Sequence, residues 1–227
     1  MKHLSLLIAA LACLGIAGCT ETIQPEENPR ILLMGDSMMA VHGMRGQAVA
    51  DAIERHLGEQ VVDRSVTGAR FLYALPISGA AGLNITKQYR KGNWNWVVLN
   101  GGGNDLLWGC GCGPCRGKIN RLISEDGRRG VIPGFVARMR QSGANVVFVG
   151  YLRTPGVTSP IEHCVDEGQE MDRRVAKLAA LDRGVHFVSL QDLVPNGDRS
   201  YHAVDLIHPS TKGSDAIGAR IAETIMK

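Results

Sequence analysis

A three-layer α/β/α sandwich on a five-stranded parallel sheet is the fold this sequence predicts, and three observations predict it. Short apolar runs alternate with longer stretches whose apolar residues recur at helical spacing. The first run, Ile31–Met34, is continuous rather than alternating, the pattern of a strand buried on both faces. Glycine or a small polar residue ends the first four runs, so turns follow those strands at once. Strand, helix, strand in this rhythm implies parallel strands joined by helical crossovers. Neither an internal repeat nor a second-domain boundary interrupts it, and 227 residues suit one domain.

Taken in order, Ile31, Leu32, Leu33 and Met34 form the first strand, and Gly35-Asp36-Ser37 stop it. Residues 46–57 place Val49, Ala50, Ile53 and Leu57 on one helical face. A second strand over 61–66 ends in Thr67-Gly68-Ala69. A helix over 80–89 leads to a third strand at 96–100, closed by Gly101, Gly102 and Gly103. The Cys- and Gly-rich segment 108–118 breaks the alternation and reads as an irregular insertion. A helix over 135–141, a strand over 145–150, a helix over 169–181 and a strand over 186–190 follow. Residues 192–209 are loop-rich, and 212–226 close the chain as an amphipathic helix.

Composition narrows the function. A hydrophobic content of 44% and a charged content of 21% are ordinary for a globular protein. The net charge of +3 is spread out, with no basic tract beyond pairs such as Arg128–Arg129, so no nucleic-acid partner is indicated. Few aromatics argue against a long stacking groove for polysaccharide. Nothing in the sequence fixes the oligomeric state, and a monomer is favoured.

The domain is expected over 30–227. Before it, Lys2 and His3 precede an apolar run over 4–17 that is too short to span a bilayer comfortably. The run ends in Ile16-Ala17-Gly18-Cys19, which resembles the lipobox of bacterial lipoproteins. That resemblance implies a signal peptide over 1–18, cleavage before Cys19 and acylation of its sulfur. Residues 19–29 then form the lipidated start and a polar tether, and the protein is expected on the bacterial cell envelope, facing the periplasm. Cys13 leaves with the leader and Cys19 carries lipid, so Cys110, Cys112, Cys115 and Cys164 remain of the six cysteines. An even number outside the cytosol favours two disulfides. Three pairings are open, of which Cys110–Cys112 is the most strained.

In a parallel sheet every strand's carboxyl end lies on one edge. Ser37, Gly68, Asn104 and the pair Asp205/His208 all follow strands, so a hydroxyl, a close-approach glycine, an amide and an acid–base pair arrive at one rim. These are the parts of a hydrolase: nucleophile, base, orienting carboxylate and oxyanion donors. Gly35-Asp36-Ser37, Gly68, Gly102-Gly103-Asn104-Asp105 and Asp205-Leu206-Ile207-His208 together resemble the four blocks of the SGNH (GDSL) hydrolases, in order, across residues 31–208. Met38 stands where the family name implies leucine, a swap that conserves volume. The resemblance implies a flavodoxin-like α/β fold and a serine esterase. Ser37 would be the nucleophile, His208 the base and Asp205 the carboxylate orienting the imidazole. The N–H of Ser37, the N–H of Gly68 and the side-chain amide of Asn104 would form the oxyanion hole. Serine needs a base to take its proton, and a neutral histidine can take and return it. No G-x-S-x-G elbow exists in the chain, so another turn must present Ser37. The chemistry requires no cofactor and no metal.

Competing readings attach to single residues. Ser37 alone could be a helix cap. Asp36 reads as structural within its turn, and Asp105 as a turn residue. His202 rivals His208 as base but has Arg199, not an acid, three residues ahead. His42, His56, His163 and His186 are scattered and read as surface or core. Cys112-Gly113-Pro114-Cys115 resembles the thioredoxin redox motif, which makes a periplasmic thiol–disulfide protein the alternative function, and zinc on the four cysteines a further one. A non-catalytic glycan- or lipid-binding lipoprotein is the third. Trp108 is either a pocket residue or an anchor for its loop. The pocket walls are expected from 78–83, 108–123 and 151–164. The substrate stays open among lipid ester, thioester, aryl ester and O-acetyl sugar.

Overall fold

The computed structural model describes residues 29–73, 75, 79–156 and 159–227. The expected leader, Cys19 and all of the tether but Pro29 lie outside these residues. Five parallel strands form one sheet in the order β2-β1-β3-β4-β5: β1 Ile31–Met34, β2 Val61–Asp63, β3 Trp96–Leu99, β4 Asn145–Val149 and β5 Val185–Val188. In register, Ile31 stands between Val61 and Trp96, Trp96 beside Asn145, and Val146 beside Val185. The helices are α1 Ser37–Ala40, α2 Val49–Leu57, α3 Ile85–Gln88, α4 Gly103–Cys110, α5 Arg116–Leu122, α6 Val131–Gln141, α7 Val165–Leu181 and α8 Thr211–Met226.

The strand alternation divides the core in two. Leu32, Met34, Val97, Leu99, Val146 and Phe148 face one side, against Leu106 of α4, Leu122 of α5, Phe135 and Met139 of α6, and Val175 of α7. Ile31, Leu33, Val98, Val147 and Val149 face the other, against Met39 of α1, Ile53 of α2, and Ile217 and Ile221 of α8. Each such side chain, taken wholly out of water, contributes about 1.5–3 kcal/mol. Both faces are therefore covered, as the unbroken apolar strands demand. On the second face α2 and α8 approach closely at Gly218, where a Cβ would come 2.4 Å from that of Ala52.

Three segments differ from what the sequence predicts. The insertion over 108–118 is largely helical. α4 runs to Cys110, Gly111 caps it at φ +63°, and α5 begins at Arg116. Its glycines and cysteines interrupt the apolar spacing and so disguise the helical pattern, while Leu106, Ile119 and Leu122 still pack into the core. Between 80 and 89 only Ile85–Gln88 is α-helical, since Gly82 at φ +82° breaks the run. β2 stops at Asp63 rather than residue 66, although the Arg64 and Val66 amides still donate to Leu33 and Gly35 carbonyls, 2.9 and 3.1 Å.

The strand order reverses direction between β1 and β3. The chain leaving β1 turns to the face of α1 and α2, and the chain leaving β3 turns to the face of α4. A crevice opens between such diverging loops at the carboxyl edge. Ser37 and Asn104 flank it.

Candidate active site

The turn that presents Ser37 is built by its neighbours. Asp36 is the N-cap of α1, its Oδ1 accepting from the Met38 N–H at 3.0 Å. Ser37 is the first helical residue, where an N–H has no intrahelical acceptor. Gly35 fits a tight space, because a Cβ would lie 3.2 Å from the Asn100 carbonyl. The Gln88 side chain clasps Gly35 from both sides, accepting from its N–H and donating to its carbonyl, each at 2.8 Å.

His208 reaches this turn from the loop between β5 and α8. Its Nε2 lies 2.9 Å from Ser37 Oγ, and its Nδ1 lies 2.6 Å from Asp205 Oδ2. A proton on Nδ1 leaves the Nε2 lone pair for the serine hydroxyl. Asp205 Oδ1 accepts from the amides of Ile207 and His208, both at 3.0 Å. Burial pushes the Asp205 carboxyl up, but the His208 ring and these two amides outweigh it and hold the group below its ordinary range. Leu206, between them, adopts φ +55°, a left-handed conformation that costs a non-glycine residue about 1–2 kcal/mol. The loop is clamped to offset that strain. The Ala203 N–H donates to the His208 carbonyl at 2.8 Å, and His42 Nε2–H donates to the Pro209 carbonyl at 3.0 Å. His202 is buried behind the site, bridged to Pro209 through its backbone, and burial lowers its pKa.

Asn104 stands in the first turn of α4, its Nδ2 3.2 Å from the Ala69 carbonyl. Asp105 beside it is buried and accepts from the Phe71 and Leu72 amides at 2.9 and 2.7 Å, tying α4 to the loop after β2. Burial raises its pKa and those two amides oppose the rise. Gly68 lies in the same loop at φ +78°, with open space where a Cβ would be. The backbone conformation, rather than crowding, is what requires glycine there. Gly68 is not among the residues lining the cleft, whereas Ser37, Asn104 and His208 are.

That cleft has a volume of about 210 Å³. Ser37, Asn104, His208, Arg153 and Thr154 are among its polar lining residues, and Leu107, Trp108, Leu152, Ile161 and Val165 among its apolar ones. The walls expected from 108–123 and 151–164 thus contribute through Trp108 and the 151–164 loop. Residues 81–83 are not among its lining residues; Ser78 lies outside the described residues. Trp108 is 70% exposed, a pocket-mouth residue rather than an anchor.

The cysteines pair as Cys110–Cys115 and Cys112–Cys164. Cys112 and Cys115 therefore belong to different bridges, which removes the dithiol pair a thioredoxin-type activity needs, and no free thiolate remains among the four for zinc. His163 approaches the Cys112–Cys164 sulfurs, but both are bonded. Cys164 lines the cleft, so its bridge to Cys112 joins the wall to the end of α4.

Two further groups carry no signal in the sequence. The Tyr151 hydroxyl donates to Asp36 Oδ2 and accepts from the Gly103 N–H at 2.8 Å, joining the Ser37 turn to the Asn104 turn. Arg153, also in the cleft, donates to the buried Asp172. Both follow β4, a position no motif marks.

The model of the GDSL-like lipase/acylhydrolase family matches residues 33–216, most of the chain. The chain belongs to this family. It is accordingly a carboxylic ester hydrolase of the SGNH type. No curated protein matches the chain. Among solved structures, the carbohydrate acetylesterase Est24 from Sinorhizobium meliloti is 16% identical, with a TM-score of 0.63 over 87% of this chain and 98% of that one. TesA is 20% identical, with a TM-score of 0.57 over 86% and 97%. The acetyl xylan esterase Est2A from the rumen bacterium Butyrivibrio proteoclasticus is 13% identical, with a TM-score of 0.56 over 90% and 65%. At these identities the likeness speaks for a shared fold alone.

Proposed function

We propose that this SGNH hydrolase cleaves its ester through an acyl-enzyme on Ser37. The observation that supports the reading is the unbroken chain of hydrogen bonds from Asp205 through His208 to Ser37 Oγ. Ser37 attacks the acyl carbon as His208 Nε2 takes its proton, and Asp205 stabilises the imidazolium formed. His208 then hands the proton to the leaving alcohol, and water repeats the sequence to release the acid. The N–H of Ser37 and Asn104 Nδ2 receive the oxyanion, each donor lowering the barrier by about 3–4 kcal/mol, with the N–H of Gly68, a residue that does not itself line the cleft, as the third donor. Among the described residues Asn104 Nδ2 has one partner, the Ala69 carbonyl, which leaves its second hydrogen for the oxyanion.

The apolar walls of the cleft favour an ester whose acyl or aryl group is itself apolar, in preference to a bare O-acetyl sugar such as the substrates named for Est24 and Est2A. A panel of aryl, lipid, thioester and O-acetyl-sugar substrates, run with the wild type and Ser37→Ala, tests both parts. Activity surviving in Ser37→Ala would sink the mechanism, and turnover confined to acetylated sugar would overturn the substrate preference. A fluorophosphonate that failed to label Ser37 would favour the non-catalytic binding protein instead.

We further propose that Cys19 carries the lipid that holds the enzyme on the periplasmic side of the envelope, on the strength of Ile16-Ala17-Gly18-Cys19. Palmitate incorporation into the full chain, lost in Cys19→Ser, is the expected result; equal labelling of both would refute it.

A further inference from the structure

Because all five strands are parallel, the edge opposite the active site gathers every strand's amino end. The chain enters the domain there. The Arg30 carbonyl accepts from the Asn95 and Trp96 amides at 2.9 and 3.1 Å, which sets the start of β1 beside the start of β3. A groove of about 870 Å³ opens at this edge, between the segment leading from α3 into β3 and the end of α6. The Tyr89 hydroxyl and Ser142 Oγ, 3.3 Å apart, join its two sides.

Four cations line the groove: Lys87, Arg90, Lys91 and Arg138. No carboxylate lines it, and among the described residues none of the four forms an ion pair. Their neighbours on the same edge behave differently, since Arg30 pairs with Glu59 and Arg140 with Asp182. Arg90 is occupied in structure, donating to the Lys87 and Tyr89 carbonyls at 2.8 and 3.2 Å. Lys87, Lys91 and Arg138 are exposed, with the Arg138 guanidinium resting 5.0 Å over the Phe135 ring. Like charges held together without acidic partners repel one another, and an anionic surface relieves that repulsion.

We propose that this groove docks the domain on an anionic phospholipid surface. Charge complementarity selects the partner, and the position of chain entry supports it. Ten residues separate Cys19 from Arg30, a reach of at most about 36 Å when extended, so a lipid on Cys19 keeps this same edge near its membrane. Docked this way, the cleft at the carboxyl edge faces away from the bilayer that holds the anchor. The docking is independent of the esterase mechanism and stands or falls separately.

The test uses the chain from Thr20 onward, which keeps every strand and every core side chain named above. It is sedimented with vesicles of phosphatidylcholine alone, or with about one third phosphatidylglycerol. Binding to the anionic vesicles alone is expected, and it should weaken steeply as salt rises and screening shortens the reach of the charges. A basic residue near an anionic leaflet is worth about fivefold in partitioning. The triple variant Lys87→Gln, Lys91→Gln, Arg138→Gln should therefore bind about a hundredfold more weakly, with hydrolysis of a soluble aryl ester unchanged. Arg121→Gln, an exposed change on α5, should bind as the wild type does. Equal binding to neutral vesicles, an undiminished triple variant, an equal loss in Arg121→Gln, or tighter capture of a single-stranded oligonucleotide than of vesicles would each overturn the proposal.

Discussion

Tyr151→Phe is the substitution that best probes how the site is held together. It keeps the ring and removes one oxygen atom. That oxygen donates to the buried Asp36 carboxylate and accepts from the Gly103 N–H at 2.8 Å. A hydrogen bond to a charged group is worth about 1.5–3 kcal/mol and a neutral one about 0.5–1.5 kcal/mol. The variant should therefore lose about 2–4.5 kcal/mol of stability where Asp36 is ionised. The loss should also depend on pH in one direction. Asp36 faces Tyr151, the Met38 amide, Asp105 and His208; burial raises its pKa above 3.8, while Tyr151 and then Met38 pull it down. A carboxyl whose folded pKa is raised contributes stability fully present below its unfolded pKa and lost as pH rises through the folded value. Removing the Tyr151 donor raises the folded value further. The gap between the two proteins should thus widen as pH rises from about 4, near the ordinary carboxylate range, toward neutrality, and shrink toward the Gly103 contribution as pH falls. Urea unfolding at both pH values measures it. Because Asp36 precedes Ser37 and Gly103 precedes Asn104, kcat should fall at least about tenfold while KM stays within about twofold. A gap below about 0.5 kcal/mol, or one of the same size at both pH values, would show that Tyr151 does not hold Asp36 as an anion.

The two disulfides should differ in worth. Removing Cys112–Cys164, which closes 52 residues, is expected to cost about 4 kcal/mol, and removing Cys110–Cys115, which closes 5, about 2 kcal/mol; the reverse order in denaturant midpoints of the paired Cys→Ala variants would refute the loop-entropy account. Trp108→Ala should change unfolding free energy by less than about 0.5 kcal/mol, since the ring is 70% exposed, yet lower kcat/KM for a bulky aryl ester about tenfold. A fall in stability with unchanged ester preference would make Trp108 an anchor after all.

Much of this architecture is legible in the amino-acid sequence. The strands announce themselves because both faces are buried, so four consecutive apolar residues at Ile31–Met34 have no other economical reading. The blocks at strand ends are legible because each supplies a chemical group at a fixed offset from a strand, and parallel strands bring those offsets to one rim. His208 can be told from His202 for a local reason too: an acid three residues ahead fits one turn. The segment 108–118 conceals its helices because glycines and cysteines break its apolar spacing, and the bridge that ties it down, Cys112–Cys164, spans 52 residues.

The supports of the site are hidden for a related reason. Gln88 clasps Gly35 across 53 residues, and Asp105 holds the Phe71 amide across 34. Neither partner predicts the other at any local spacing. Tyr151 shows what would be needed. It follows the last residue of β4 by two positions, and Gly103 follows the last residue of β3 by four. Those offsets mean nothing until β3 and β4 are known to be neighbours, with Leu99 in register with Phe148. Once that register is given, residue 151 falls beside the turn that carries Asn104, and β1 on the far side of β3 brings Asp36 within reach. Hydrogen-bonding side chains one or two residues beyond the carboxyl ends of adjacent strands are thus the places to look for groups that hold an active site. Motifs mark the atoms that react, and strand order finds the atoms that keep them aligned.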